Sequence, residues 1–214
     1  MKPYIVTIER QYGSGGKTVG KMLSEKLNIP FYRREIIERA SEESGINAVL
    51  FTDERLKPDL LEKIRHPYAK DSTVQPIKTG GNKAYLNDHS LFMHQAKVIR
   101  EIAEEGPCVI VGRCADYVLK DRKDVIRVFI HADHDACLKQ AMRINSMSVE
   151  DVEKKIQEVD DFHAKYYKFH TGKDWDDARN YDLSLNSGVL GFEGTLEAIL
   201  QYMELREKLE AEEA

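Results

Sequence analysis

Tyr4-Ile5-Val6-Thr7-Ile8, then Gly13-Ser14-Gly15-Gly16-Lys17-Thr18, then an amphipathic run to Leu27: this stretch decides the fold. Residues 4–8 are apolar and β-branched, which predicts a buried strand. Val19, Met22, Leu23 and Leu27 recur at helical spacing, so a helix over 17–27 follows the glycines. Glycines between a strand and a helix let successive backbone N–H groups turn inward and form an anion nest. A lysine there reaches the β- and γ-phosphates, a Ser or Thr hydroxyl meets Mg²⁺, and the helix adds its positive end. Gly13, Gly15 and Gly16 supply the freedom around Ser14, Lys17 the charge and Thr18 the metal-facing hydroxyl, with Val19 next along the first turn. The expected ligands are ATP and Mg²⁺. The usual pattern is G-x-x-x-x-G-K-[ST]. Its first glycine position holds Gln11, so Gly13 is expected to take over part of the turn. A plain glycine-rich turn with a solvated Lys17 fits the same letters.

Outward from this stretch, apolar runs alternate with helical periods. Strands are expected at 29–32, 108–111, 124–131 and 181–186, and helices at 34–44, 53–65, 88–105 and 133–145. Ser148, three residues before Asp151, predicts the start of a long helix that ends near Gly172. A closing helix is expected over 193–210. Residues 66–85 show no period and hold Gly80-Gly81, which reads as a loop or a partly ordered insertion. Strands alternating with helices predict an α/β fold: a central five-stranded parallel sheet covered on both faces. Such sheets bind ligands at the carboxyl ends of their strands, where Gly13–Thr18, Gly112-Arg113 and the segment after His131 would converge.

Of the 214 residues, 42% are hydrophobic and 32% charged, which suits one soluble globular domain. A net charge of -5 gives no bulk attraction for nucleic acid. Cys108, Cys114 and Cys137 match neither a metal-ligand spacing nor a disulfide framework, which predicts reduced thiols. The seven histidines form no metal-ligand pattern either. No apolar run has the length of a signal peptide core or a membrane span, so a cytoplasmic protein without a membrane partner is expected. The letters carry no signal of oligomeric state.

Gly13-Ser14-Gly15-Gly16, the run Leu23 to Leu27, Ile29-Pro30-Phe31-Tyr32 and Glu35-Ile36-Ile37 resemble the cytidylate kinase-like proteins, within the nucleoside monophosphate kinase group of P-loop folds. The likeness continues at Val109-Ile110-Val111-Gly112-Arg113-Cys114-Ala115-Asp116. It resumes at Tyr166-Tyr167, Gly172-Lys173-Asp174-Trp175 and Tyr181 to Asn186. The resemblance implies a single P-loop kinase-like domain over 1–214, a three-layer α/β/α core with an acceptor-binding helical lobe at 33–90 and a lid-like region at 148–180. It implies ATP-dependent phosphoryl transfer to a small acceptor, first of all a nucleoside monophosphate such as CMP or dCMP. A non-nucleotide metabolite is an alternative acceptor, and a nucleotide-binding module with little or no turnover is an alternative function.

The resemblance also distributes roles. Lys17, Arg113 and His163 would be catalytic. Arg113 and Asp116 would hold the acceptor. On charge alone, Arg143 is expected to join the loop at the nucleotide, and Arg34 and Arg39 either meet a dianionic acceptor or form a solvated helix face. Phosphoryl transfer asks chiefly for positioning and positive charge, which suits arginines converging on one place. Asp116 would orient Arg113, hold Mg²⁺ through water or cap its turn. Related sequences often carry Asp at the position of Arg33 and Arg at that of His163; a histidine is largely neutral at neutral pH without a partner that raises its pKa. Val111 stands where an acid usually ends this strand. Lys165, Lys168 and Arg143 would have to make up the lid's charge. Trp175 and its tyrosine neighbours read as packing between lid and core. Asn186-Ser187-Gly188 falls either beside the adenine or in an ordinary turn.

Overall fold

A computed structural model describes residues 4–51 and 88–212. The helix expected over 53–65 and the loop expected over 66–85 lie outside the described residues. The chain divides into two compact units, Met1–Tyr32 with Arg100–Ala214, and Arg33–Ile99.

The first unit is built on a five-stranded sheet with spatial order β2-β3-β1-β4-β5. The strands are β1 (Ile5–Arg10), β2 (Phe31–Tyr32), β3 (Val109–Val111), β4 (Val125–His131) and β5 (Leu183–Asn186). Every pair is parallel: Val6 lies opposite Val109 on one side and Ile126 on the other. β1 is central, and its first five residues are buried. It runs two residues beyond the expected end at Ile8. Glu9 and Arg10 look like strand breakers by polarity, yet they pair with Phe129 and Ile130 of β4.

Seven helices are described: α1 (Gly16–Leu27), α2 (Glu35–Ser44), α3 (Asp88–Glu105), α4 (Ala115–Val118), α5 (His134–Ile144), α6 (Val149–Thr171) and α7 (Ser187–Glu212). α6 starts as expected: the Ser148 hydroxyl accepts from the Asp151 N–H at 3.2 Å and donates to its carboxylate at 2.6 Å. Gly172 ends it in a left-handed conformation. The Asp133 carboxylate caps α5 by accepting from the Ala136 N–H. The closing helix starts six residues before the expected 193. Gly191 interrupts it with φ 67 and ψ 177, and the apolar period over 193–210 hides the turn in front of that break.

Side chains alternate across β1. Val6 and Ile8 join Val19 and Leu23 of α1, Val111 of β3, Ile126, Val128 and Ile130 of β4, and Ile199 and Met203 of α7 in one buried cluster. Glu9 points to the opposite face, toward α4 and Trp175. In the second unit, Ile36, Ile37 and Ala40 of α2 are buried, as are Leu50 and Phe51 of the 3-10 turn Ala48–Phe51. Gly45 closes α2 with φ 68.

Leu23 is fully buried beneath the phosphate loop's helix. Leu23→Ala is expected to lower unfolding stability by about 2–5 kcal/mol, read from urea melts; a loss below about 1 kcal/mol would contradict this packing.

Candidate active site

The loop between β1 and α1 is held from all sides. The Gln11 N–H donates to the Ile130 carbonyl at 3.1 Å, and the Gln11 side-chain carbonyl accepts from the Ala132 N–H at 3.2 Å. Gln11 therefore ties the loop to the end of β4, while Gly13 takes the positive φ, 85°, as expected. A Cβ on Gly13 would stand 2.4 Å from the Cys137 carbonyl oxygen of α5, and one on Gly15, φ 79°, 2.1 Å from the Phe192 ring. No side chain can replace either glycine without moving its neighbour. The Ser187 hydroxyl lies between the Ser14 carbonyl at 2.6 Å and the His131 carbonyl at 3.1 Å.

α1 opens at Gly15 with no side-chain cap, so its first N–H groups remain for an anion. Lys17 and Thr18 are exposed at that end. Val19 is different: it is fully buried, and its N–H donates to the Gly15 carbonyl at 3.0 Å. Its side chain fixes the helix on the core.

Beside the loop lies a cavity of about 310 Å³. It is lined by Gly13 and Ser14 of the loop, by Ala136, Lys139, Gln140 and Arg143 of α5, and by Ser187, Gly188, Gly191 and Phe192 of α7. Arg143 and the turn after β5 thus line one cavity with the loop.

On the other face, Gly112, Arg113 and Cys114 adopt φ of 79°, 67° and 53° in succession. Left-handed geometry costs a non-glycine residue about 1–2 kcal/mol, so this turn needs support. Glu9 supplies it. Its Oε1 accepts from the Cys114 N–H and its Oε2 from the Trp175 indole N–H, both at 3.2 Å. Arg10 Nη1 lies 3.6 Å from the same Oε2. Arg113 is half-buried here. Burial raises the Glu9 pKa, with Arg10, Trp175 and the Cys114 N–H opposing it.

Asp116 is 3% exposed. Its Oδ2 accepts from the Tyr167 hydroxyl at 2.6 Å, while its buried Oδ1 has no hydrogen-bond partner. Burial first, and the nearby Glu9 second, push its pKa up to about 7. Two carboxyls in one dry region disfavour full ionisation of both. Cys114, between them, is held well above the usual thiol range by burial and by both acids. Cys108, Cys114 and Cys137 are all free and buried.

α6 meets the loop through the Tyr12 N–H, which donates to Asp160 at 2.7 Å. Burial raises the Asp160 pKa to about 6, against the Tyr12 N–H and Arg10. His163, one turn on, packs its ring 5.6 Å from that of Trp175. Trp175 is buried and meets Phe129 edge-on at 5.3 Å, so it packs as expected. Arg34 and Arg39 belong to the second unit; Arg34 is exposed at the start of α2 and Arg39 is half-buried along it. Glu9 and Arg10 escaped the sequence reading. Their signal was visible: two adjacent charges at the end of an apolar strand, directly before the glycines.

Among the described residues, no group of three or more His, Cys, Asp or Glu side chains could hold a metal ion, and no helix is long and apolar enough to cross a membrane. The parallel sheet and its anion-ready loop define the P-loop kinase fold. The chain belongs to the cytidylate kinase-like family, whose model matches residues 5–189. It is 26% identical to an uncharacterized protein from Eubacterium ventriosum, whose crystal structure matches with a TM-score of 0.68 over 94% of this chain and 98% of that one. Two shikimate kinases share the fold at 12% identity and a TM-score of 0.53. The enzyme from Bacteroides thetaiotaomicron matches over 94% of this chain and 98% of its own. That from Acinetobacter baumannii, solved with shikimate, matches over 96% and 95%. No curated protein matches the sequence.

The acid cluster sets a pH dependence. Asp116 keeps its proton in the folded chain up to about pH 7, while the unfolded chain loses it near 3.8. The folded state thus binds more protons over that window, and stability falls as pH rises through it. Asp160 acts with the same sign up to about 6. The urea midpoint is expected to be higher at pH 5 than at pH 8. Asp116→Asn should flatten that difference while keeping an acceptor for Tyr167. An equal or reversed dependence in the wild type, or an unchanged one in the variant, would contradict the assignment.

Proposed function

We propose that this protein is an ATP-dependent kinase acting on a small acceptor, with a nucleoside monophosphate of the cytidylate type as the acceptor class. The observation that carries the reading is the continuity of the phosphate loop with the cavity beside it. Gly13 and Ser14 belong to both, and Arg143 and Gly188 also line the cavity. A cavity of this size suits a nucleoside, and the uncapped start of α1 suits its phosphates. Family membership supports the acceptor class.

In the proposed reaction the bond between the γ-phosphorus and the β–γ bridging oxygen breaks. A bond from that phosphorus to an acceptor oxygen forms, and ADP leaves with the electron pair. An ionised acceptor phosphate has no proton to lose; a hydroxyl acceptor would release one. Lys17 and the N–H groups at the start of α1 hold the donor phosphates and bear their charge. Arg113, fixed by its left-handed turn, meets the acceptor, with Asp116 behind it. Thr18, exposed at the third position of α1, presents a hydroxyl that fits a divalent cation at the phosphates. Mg²⁺, when bound, offsets the charge on the β- and γ-phosphates, and Thr18 would hold it.

A second reading is a nucleotide-binding module without turnover. His163 favours it, because a histidine, packed beside Trp175, stands where related sequences often carry an arginine. One assay separates the two. Mg-ATP is incubated with a panel of nucleoside monophosphates and small hydroxyl metabolites, and ADP is followed. The kinase reading predicts acceptor-dependent ADP with at least one nucleoside monophosphate. It also predicts loss of turnover by at least about a hundredfold in a folded Lys17→Ala. Arg34→Ala and Arg39→Ala in the same panel report whether the second unit serves the acceptor. Tight ATP binding with no ADP above background would support the module instead.

A further inference from the structure

Phosphoryl transfer needs a cation at the moving group, not merely at its two ends. Lys17 serves the donor and Arg113 the acceptor in the reading above. Between the loop and the Arg113 turn lies a third cation. The Arg10 side chain leaves β1 beside Gly16, where a Cβ on that glycine would stand 2.5 Å from Arg10 Cβ and 2.9 Å from Cγ. Its guanidinium ends over Gly112, where an added Cβ would stand 2.8 Å from Nη1 and 3.4 Å from Cζ. The side chain therefore spans from the first residue of α1 to the first residue of the left-handed turn. A side chain at Gly16 or Gly112 would collide with it. It is 16% exposed, so it is largely dry yet reachable.

Its surroundings are those of a held cation. Glu9 Oε2 lies 3.6 Å from Nη1, and that oxygen is itself fixed by the Trp175 indole. Asp160 of α6 also feels the Arg10 charge. Donors fixed before reaction stabilise developing charge without reorganisation. A guanidinium offers the planar fork that phosphoryl oxygens match.

We infer that Arg10 is a catalytic residue, the cation that contacts the transferring phosphoryl group. The inference rests on the kinase reading. Arg10 makes and breaks no bond; it bears negative charge on the γ-phosphoryl oxygens while the phosphorus passes from the bridging oxygen to the acceptor oxygen. The competing role is that of a counterion for buried Glu9. That role would affect stability and leave turnover alone.

The test compares binding of ADP with binding of ADP plus tetrafluoroaluminate, in the presence of Mg²⁺ and the acceptor found by the panel, for wild type, Arg10→Met and Arg10→Lys. Wild type should bind the fluoroaluminate complex at least tenfold more tightly than ADP. Arg10→Met should lose that gain, keep its ADP affinity within about threefold, and lose kcat by about a thousandfold. Arg10→Lys keeps a charge beside Glu9 and is expected to fold if the methionine variant does not. It should still lose at least tenfold in kcat with little change in the KM for ATP. Variants that keep both the gain and kcat would overturn the Arg10 assignment alone. A wild type that binds the two ligands alike would overturn it together with the kinase reading.

Discussion

One carboxylate, Glu9, connects the parts on which the site depends. It sits next to last in the central strand, nearly out of water. It accepts from the Cys114 backbone and from the Trp175 indole, and it stands beside Arg10. An acid buried that deeply costs free energy unless its oxygens are satisfied. Here the same contacts that satisfy it also hold three successive residues in left-handed geometry and fix the residue against which His163 packs. The glycine loop, the Arg113 turn and α6 therefore share one fixed point. Its neighbour Asp116, with one oxygen on Tyr167 and the other unpartnered, extends the same dry region.

The loop is constrained in a complementary way, by contact rather than by charge. The Cys137 carbonyl presses on Gly13 and the Phe192 ring on Gly15. Tyr12 is bound to α6 through Asp160. Serine and glutamine side chains tie the loop to the ends of β4 and α7. A site fixed before its ligand arrives loses little on binding, and this loop has few ways to relax. Gly191, where α7 is interrupted, lines the cavity beside the loop.

Much of this was legible in the letters. The strand-glycine-helix order gave the loop, and alternating periods gave a parallel five-stranded sheet. Ser148 and Gly172 marked both ends of the long helix because capping is local chemistry. Gly112-Arg113 stood out as a glycine and an arginine after an apolar strand. What stayed hidden depends on distant residues. Glu9 and Arg10 look wrong for a strand until Trp175 and Cys114 stand beside them. Gln11 looks like a defect until its side chain meets Ala132. Val19 belongs to the loop by position, but its side chain follows the helical period into the core. The early start of α7 could not be read because Gly191 interrupts the period that would reveal it.

The central claim is that Gly13–Thr18 holds the phosphates of a nucleotide whose base lies in the adjoining cavity. A crystal structure with Mg-ADP tests it most directly. The account predicts the β-phosphate within about 3 Å of the N–H groups at the start of α1, Lys17 turned toward it, and the base between Arg143 and Gly188. A nucleotide bound elsewhere, or a base outside that cavity with the loop unengaged, would contradict it.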